Sequence, residues 1–447
     1  MYGPIEVREA PAGAGDVQKA VPVVKNRWRH MGILTAAQAL DNSEASVLPA
    51  LFPVIKASLA LSLSSLGMMM VCSKIAAALF SPFWLWLARR WNRKGALVVC
   101  TAVWGAWGVA AGFSHNFTML LACTSILAVG TAGASALITS IFADLFDDAM
   151  RGRAIGYMFG ATALVSALVG PMLGRLAEIN GGWRIGFWLL GGASMLAGFA
   201  VLVWFRDPGV GASQVASARP SVVEAAPAWR DVLALFRIPT FSVMIVSRLL
   251  AGQLLIMSFG VVYLTQVFGF PNRTAAIVIA PTGIGYLIGT IGGAVIFDRM
   301  HRAWPAFGRV AFLQIMQVAF GAMAFLGTQF NWGNIYVFCG FFFMMGCAMG
   351  TLPGANRPIV MAVVPPRLRS LSFVILIAIV ESLTWAAYNA GAGWFGDRYG
   401  LKSVFIVVVV GLVLVNGVLI TVLYRTYPRD VARMQDGLRE NEREQVR

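Results

Sequence analysis

The first long apolar segment contains Gln-Ala-Leu-Asp-Asn-Ser-Glu-Ala-Ser-Val-Leu-Pro, residues 38–49. It opens near His30, so Asp41 lies roughly 16 Å along a helix rising 1.5 Å per residue. That depth is close to the middle of a hydrocarbon core about 30 Å thick. Gln38, Asp41 and Glu44 recur at i, i+3 and i+6, which places them on one helix face. Two carboxylates at this depth indicate a functional site.

Two interpretations of Asp41 and Glu44 stay open at this point. Their mutual repulsion and their removal from water both favour protonation of at least one of them. This behaviour is typical of a proton-coupling site in a membrane protein. The alternative is a structural pair of acids, each satisfied by polar groups of neighbouring helices.

The composition is that of a polytopic membrane protein. Of 447 residues, 58% are apolar and 12% are charged, whereas soluble domains carry about 25% charged residues. The net charge of +15 is explained by basic cytoplasmic loops rather than by nucleic-acid binding. The five cysteines and three histidines show no metal-ligand spacing, so neither a metal site nor a cofactor is predicted.

The hydropathy pattern predicts twelve membrane-spanning helices and an all-α fold. The apolar segments are 30–55, 63–88, 95–113, 117–145, 152–177, 183–205, 239–268, 274–297, 305–328, 332–363, 370–396 and 401–424. The predicted organisation is a tail (1–29), a six-helix bundle (30–205), a linker (206–238), a second six-helix bundle (239–424) and a tail (425–447).

Basic residues cluster in alternate loops and therefore predict the topology. Arginines and lysines precede segment 1 and follow segments 2, 4, 8 and 10, while the opposite loops carry few. The positive-inside rule then places both termini in the cytoplasm of a cell inner membrane. A charged turn follows both segment 2 (89–94) and segment 8 (298–302). Such internal repeats are typical of secondary transporters.

Four further charges lie within predicted spans: Lys74, Arg248, Arg357 and Glu381. Arg248 and Arg357 are candidates for binding an anion, because guanidinium pairs with carboxylate or phosphate in a fork. Equally, they could be counter-ions of the acids. Lys74 is expected to pair with an acid of segment 1, and Glu381 is the alternative proton site. The candidate substrate-binding residues are Arg248, Arg357, Lys74, Gln38, Asn356, Tyr388 and Asn389.

Three stretches carry a family resemblance. They are Arg90-Trp91-Asn92-Arg93-Lys94, then Ala143-Asp144-Leu145-Phe146 with Arg151-Gly152-Arg153, and Pro366-Arg367-Leu368-Arg369-Ser370. Together with the twelve segments, they resemble the major facilitator superfamily and, more narrowly, its Spinster group of lysolipid and sphingoid-phosphate transporters. The resemblance implies two pseudo-symmetric six-helix bundles and rocker-switch alternating access.

The chain departs from the Spinster pattern at several positions. Asn42 follows Asp41 where the group has Arg, and Gly133 stands where it has Glu. Glu381 corresponds to a His of the group. The resemblance therefore implies Asp41 as the protonation site. These departures mean that it does not extend to the group's lipid substrate.

The gate also departs from the superfamily. Arg89 stands where an Asp is usual, whereas the second copy keeps Asp298-Arg299. A positive charge cannot bind helix N-termini, so Arg89 is expected to turn to Asp144, Asp147 or Asp148. Asp298 is then the stronger latch. The candidate gating residues are Arg89, Arg93, Asp144, Arg151, Asp298, Arg299 and Arg302.

The sequence thus predicts a secondary active transporter, symporter or antiporter, that moves a small organic or amphipathic anion in exchange for or together with protons. Alternatives are an exporter of lysophospholipids, sphingoid-like lipids or drugs, and a non-transporting transceptor or binding scaffold. An enzyme is not predicted. The expected partners are the substrate, protons and the bilayer, without nucleic acid, and the expected state is a monomer.

Reporter fusions test the topology. Fusions at Gly209 and after Tyr427 should report cytoplasm, and a fusion near His115 should report the outside, because the basic loops stay in the cytoplasm. A cytoplasmic signal at His115 would reject the twelve-span topology.

Overall fold

The computed structural model describes residues 5–6, 23–24, 26–146, 148–209 and 229–446. The chain divides into two compact units. The first comprises Met1–Leu61 with Met69–Val222, and the second comprises Ser62–Met68 with Val223–Arg447. Apart from one two-residue strand pair, Ile5–Glu6 with Val23–Val24, the regular structure in the described ranges is helical.

The N-terminal half of the chain forms six spans. They are α1 (Arg27–Ala45 with Val47–Leu59), α2 (Leu63–Arg90), α3 (Arg93–Gly112), α4 (Phe117–Leu145), α5 (Asp148–Leu176) and α6 (Gly182–Trp204). The two pieces of α1 meet at Ser46. Pro49 lies in the first turn of the second piece, where its missing N–H leaves Ala45 without its usual helical donor. The proline therefore favours a break just beyond the two acids.

The C-terminal half forms the other six spans. They are α7 (Pro239–Val267), α8 (Asn272–Ala303), α9 (Gly308–Gln329), α10 (Ile335–Val363), α11 (Leu371–Tyr399) and α12 (Leu401–Asp436). Eleven of the twelve spans are helices long and apolar enough to cross a membrane in the described ranges, and the interrupted α1 is the twelfth. The predicted all-α fold with twelve transmembrane helices in two six-helix bundles is confirmed.

Trp84 of α2 organises the core of the first unit. Its indole Nε1 donates to the Val129 carbonyl at 2.9 Å, and its ring meets that of Trp104 edge-on, with centroids 4.9 Å apart. A Cβ placed on Gly133 of α4 would lie 2.4 Å from the Trp84 ring and 2.8 Å from Cys100 Sγ. No side chain fits there, which explains in steric terms why this chain has glycine where the Spinster group has Glu.

Glycines bring the backbones of α8 and α10 into direct contact. Added Cβ atoms on Gly285 and Gly289 would lie 2.1 and 2.0 Å from carbonyl oxygens of α10, and Cβ atoms on Gly346 and Gly350 would lie 2.2 and 2.1 Å from carbonyl oxygens of α8. Such mutual approach is the typical use of small residues between membrane helices. It fixes α8 against α10, and both helices carry residues of the candidate site.

Asp397 of α11 caps the start of α2. Its carboxylate accepts from the backbone N–H groups of Leu63 and Ser64, both at 2.8 Å, and from the Ser64 hydroxyl at 2.6 Å. All three residues belong to the second unit. An acid at a helix N-terminus satisfies free N–H groups and complements the helix dipole. No sequence pattern indicates this pairing, because the two partners lie 334 positions apart.

Helices continue into both segments that the sequence leaves without a span. The helix Trp229–Phe236 lies in the predicted linker, and its Leu235 is buried in the core of the second unit beside Tyr427. The final helix runs from Leu423 to Val446, through the predicted tail. Asp430 on this helix accepts from the Thr240 N–H at 2.9 Å and so caps α7.

Alanine substitutions on α8 test the glycine contact. Gly289→Ala should destabilise the protein by about 1–3 kcal/mol, because its Cβ cannot fit against the backbone of α10. Gly292→Ala is the control, since no atom lies within 4 Å of its added Cβ and alanine favours helix by about 1 kcal/mol. Thermal unfolding in detergent measures both. Equal melting temperatures would contradict the packing described.

Candidate functional site

A pair of buried acids lies in the first unit. Asp41 and Glu44 are only 2% and 1% exposed. Thr101 of α3 donates its hydroxyl to Asp41 Oδ2 at 3.4 Å, and the hydroxyl of Ser194 of α6 lies near both carboxyl groups without forming a hydrogen bond to a described residue. Thr101 lies in a π-helical stretch, Val99–Val103, an irregularity that is frequent at functional sites.

A glycine surface makes room for Glu44. A Cβ on Gly108 of α3 would lie 1.6 Å from Glu44 Oε1, and Gly191 of α6 packs against the same part of α3. Within the described residues Glu44 Oε1 is buried without a hydrogen-bond partner, and so is the Oε1 atom of Gln38 on the same face of α1. The Glu44 carboxyl group is thus positioned by its close fit against Gly108 and lies near the Ser194 hydroxyl.

No ion pair among the described residues includes Asp41 or Glu44. The groups that act on them electrostatically are Ser194, Thr101 and, for Glu44, Asp41 itself. Lys74 is exposed on α2, and its pairing with an acid of segment 1 stays a prediction. An ionised carboxylate buried without a counter-ion is strongly disfavoured. This site therefore suits the binding of a cation, of which the proton is the simplest.

A second charged cluster lies in the second unit. Arg248 Nη1 of α7 is 3.4 Å from Glu381 Oε2 of α11, and both side chains are half-buried or more, at 16% and 32% exposure. Arg357 of α10 and Tyr286 of α8 lie within electrostatic range of this pair. The structure thus brings together three of the charges that the sequence singled out. Arg248 therefore acts as a counter-ion of Glu381, which is one of the two roles that the sequence analysis considered for it.

A break in α7 positions Arg248. The first piece ends at Leu249, and a short 3-10 turn follows at Gly252–Leu254. The carbonyls of Ser247 and Leu249 are bonded from outside the helix, by Asn416 Nδ2 at 3.2 Å and by the Tyr388 hydroxyl. Side chains of neighbouring helices commonly satisfy such interrupted membrane helices. Arg248 also lies at a helix C-terminus, where a positive charge is favourable.

The remaining substrate-binding candidates take other positions. Tyr388 supports the backbone of α7 and so acts through its contact with Leu249. Asn389 is buried and donates to the Trp385 carbonyl of its own helix at 2.7 Å. Asn356 is buried on α10 beside the exposed Arg357. Sequence analysis missed Tyr286, Thr101 and Ser194, because a lone hydroxyl in an apolar span gives no distinctive pattern.

A further charged cluster of the first unit, the Arg93 cluster, consists of Arg93, Asp144 and Asp207. Arg93 pairs with Asp144 and forms a fork to Asp207, with Nη2 and Nε at 2.6 and 3.1 Å. Arg89 is exposed at the end of α2, and its expected turn towards Asp144, Asp147 or Asp148 stays a prediction. Asn92 caps α3 and directs Arg93, the next residue, towards both acids.

Other gating candidates make fewer contacts. Asp298, Arg299 and Arg302 are exposed near the end of α8, where Arg302 Nε donates to the Asp298 carbonyl at 3.4 Å. The side chains of Arg151 and of Asp147 and Asp148, the other acids expected near Arg89, lie outside the described part of the structure. The role of Asp298 as the stronger latch stays a prediction.

Known proteins of the same fold and family resemble this chain. The family model of the Major Facilitator Superfamily matches residues 34–307. Over 184 residues the chain is 24% identical to the probable sulfoacetate transporter SauU of Cupriavidus necator, covering 41% of this chain and 43% of that protein. Over 163 residues it is 26% identical to protein spinster homolog 1 of Mus musculus, covering 36% and 31%. The chain thus matches less than half the length of these two curated relatives.

Among solved structures, a bacterial homologue of the human lysosomal transporter Spinster, in an inward-facing and unoccupied conformation, aligns with a TM-score of 0.72. The alignment has 18% identity and covers 92% of this chain and 98% of that one. This similarity concerns the fold, and it confirms the resemblance deduced from the sequence. Because the family model matches more than half of the residues, the chain belongs to the Major Facilitator Superfamily.

Proposed function

We propose that this protein is a secondary active transporter that moves a small organic or amphipathic anion by rocker-switch alternating access, coupled to protons. The observation that carries the proposal is the pair Asp41 and Glu44, buried in the first unit without a counter-ion among the described residues. A purely structural acid pair would destabilise the fold, because no counter-ion in the described ranges compensates the loss of hydration on burial. A coupled transporter needs a buried group that takes up and releases a cation.

Arg248 and Arg357 supply the anion site in this proposal. Guanidinium groups bind carboxylate, sulfonate or phosphate through paired N–H donors, and Arg357 is exposed. An ionised side chain within a span faces water rather than lipid, so Arg357 is accessible to a dissolved anion. The relative from Cupriavidus necator, named for sulfoacetate, supports a small organic anion over a sugar.

The bundles of residues 30–205 and 239–424 are the two moving parts, in a cell inner membrane with both termini in the cytoplasm, and the transporter acts as a monomer. Asn356, Tyr388 and Asn389 contribute to the substrate site in the second unit. Gln38 and Lys74 contribute in the first.

Neutralising Asp41 tests the proton site. Asp41→Asn should abolish anion transport driven by a pH gradient in proteoliposomes, because the amide can neither take up nor release a proton. Anion exchange without a gradient should persist. Glu44→Gln should do less, since Asp41 remains to carry the proton. Asp436→Asn, an exposed acid near the C-terminus, is the matched control. Full proton coupling in Asp41→Asn would transfer the role to Glu381.

Removing the Arg93 side-chain charge tests the Arg93 cluster. Arg93→Gln removes the cation that pairs with Asp144 and Asp207, and the loss of hydrogen bonds between charged groups costs about 1–3 kcal/mol. We expect a lower melting temperature and slower transport. Arg89→Gln, four residues away and exposed, should stay close to the wild type in both assays. An equal or larger effect of Arg89→Gln would show that the wrong arginine has been assigned.

A further inference from the structure

The charges of the cluster in the second unit do not cancel. Arg248 and Arg357 bring two positive charges, and Glu381 brings one negative charge at 3.4 Å from Arg248. Tyr286 lies within electrostatic range of all three and is neutral. We call these four residues the guanidinium cluster. The guanidinium cluster therefore carries one net positive charge inside the membrane-spanning part of the chain.

The position of each guanidinium decides which of them is available. Arg248 is 16% exposed and already faces Glu381, whereas Arg357 is exposed and is not bonded to that carboxylate. An anion therefore meets Arg357 first. Within a low-dielectric region, a net charge left after binding is unfavourable, so the best ligand is the one that brings the sum to zero.

We infer that the anion bound at the guanidinium cluster carries a single negative charge, and that Glu381 sets this limit by neutralising Arg248. The inference rests on the proposed function, because it names the charge class of the organic anion. A monoanion makes the cluster neutral, whereas a dianion would leave one net negative charge beside Glu381. Glu381 is thus a specificity-determining residue rather than a substrate ligand.

This assignment predicts a reversal on neutralising Glu381. Glu381→Gln keeps the size of the side chain and raises the net charge of the cluster from +1 to +2. The variant should then prefer dianions over monoanions. One unit of charge at a few ångströms in a partly buried site changes affinity by roughly tenfold or more. The double variant Arg248→Gln/Glu381→Gln restores a net charge of +1 and should restore the preference for monoanions.

The test uses octanoate and octanedioate, which share a chain length and differ by one carboxylate. Binding of each to the purified full-length protein in nanodiscs is measured by calorimetry at neutral pH. The wild type should bind octanoate more tightly, Glu381→Gln should bind octanedioate more tightly, and the double variant should behave as the wild type. Tyr286→Phe, which leaves the charges unchanged, should shift both affinities in the same proportion.

The outcomes separate this inference from the proposed function. If both anions bind and Glu381→Gln keeps the wild-type preference, the role of Glu381 is wrong while anion binding stands. If neither anion binds to the wild type or to any variant, both the inference and the proposed anion site fall. If Glu381→Gln alone unfolds, the double variant decides, because a preference for octanedioate there would overturn the charge count.

Discussion

The absence of water from the membrane interior is the constraint on which this structure depends, because each charge placed there needs compensation. The two units meet this requirement in different ways. Asp41 and Glu44 are surrounded by hydroxyl groups and glycine backbone, with no cation paired to them among the described residues. Arg248 is paired directly with Glu381. The first arrangement lacks a positive charge and the second lacks a negative one, so each is suited to a ligand of opposite sign.

Small residues determine where these charged groups lie. Gly108 provides the space that Glu44 occupies, and the glycines of α8 and α10 bring Tyr286 and Arg357 to one place in the second unit. The contacts between α8 and α10 are between backbones and so tolerate no added carbon. Close packing at glycines therefore helps to define the geometry of the polar sites. This follows from the weak apolar driving force between helices in lipid, where close fit replaces the hydrophobic effect.

The sequence was sufficient for what depends on a single helix. Hydropathy predicted the twelve spans, and the spacing of Asp41 and Glu44 placed both on one buried face. It failed where the partner belongs to another helix. The sequence did not indicate that Arg93 binds Asp144 or that Ser194 lies near the acids. Helical periodicity gives the direction of a side chain around its own axis, but the neighbour it meets depends on how the helices pack.

We propose that the buried acids of the first unit hold a proton that anion transport releases. Infrared difference spectroscopy of the purified protein, recorded with and without a bound anion, tests it most directly. If these acids carry the proton, a carbonyl band of a protonated carboxylic acid should change on binding, shift in heavy water, and disappear in Asp41→Asn/Glu44→Gln. An identical difference band in that double variant, or no carboxylic-acid band in the wild type, would contradict it.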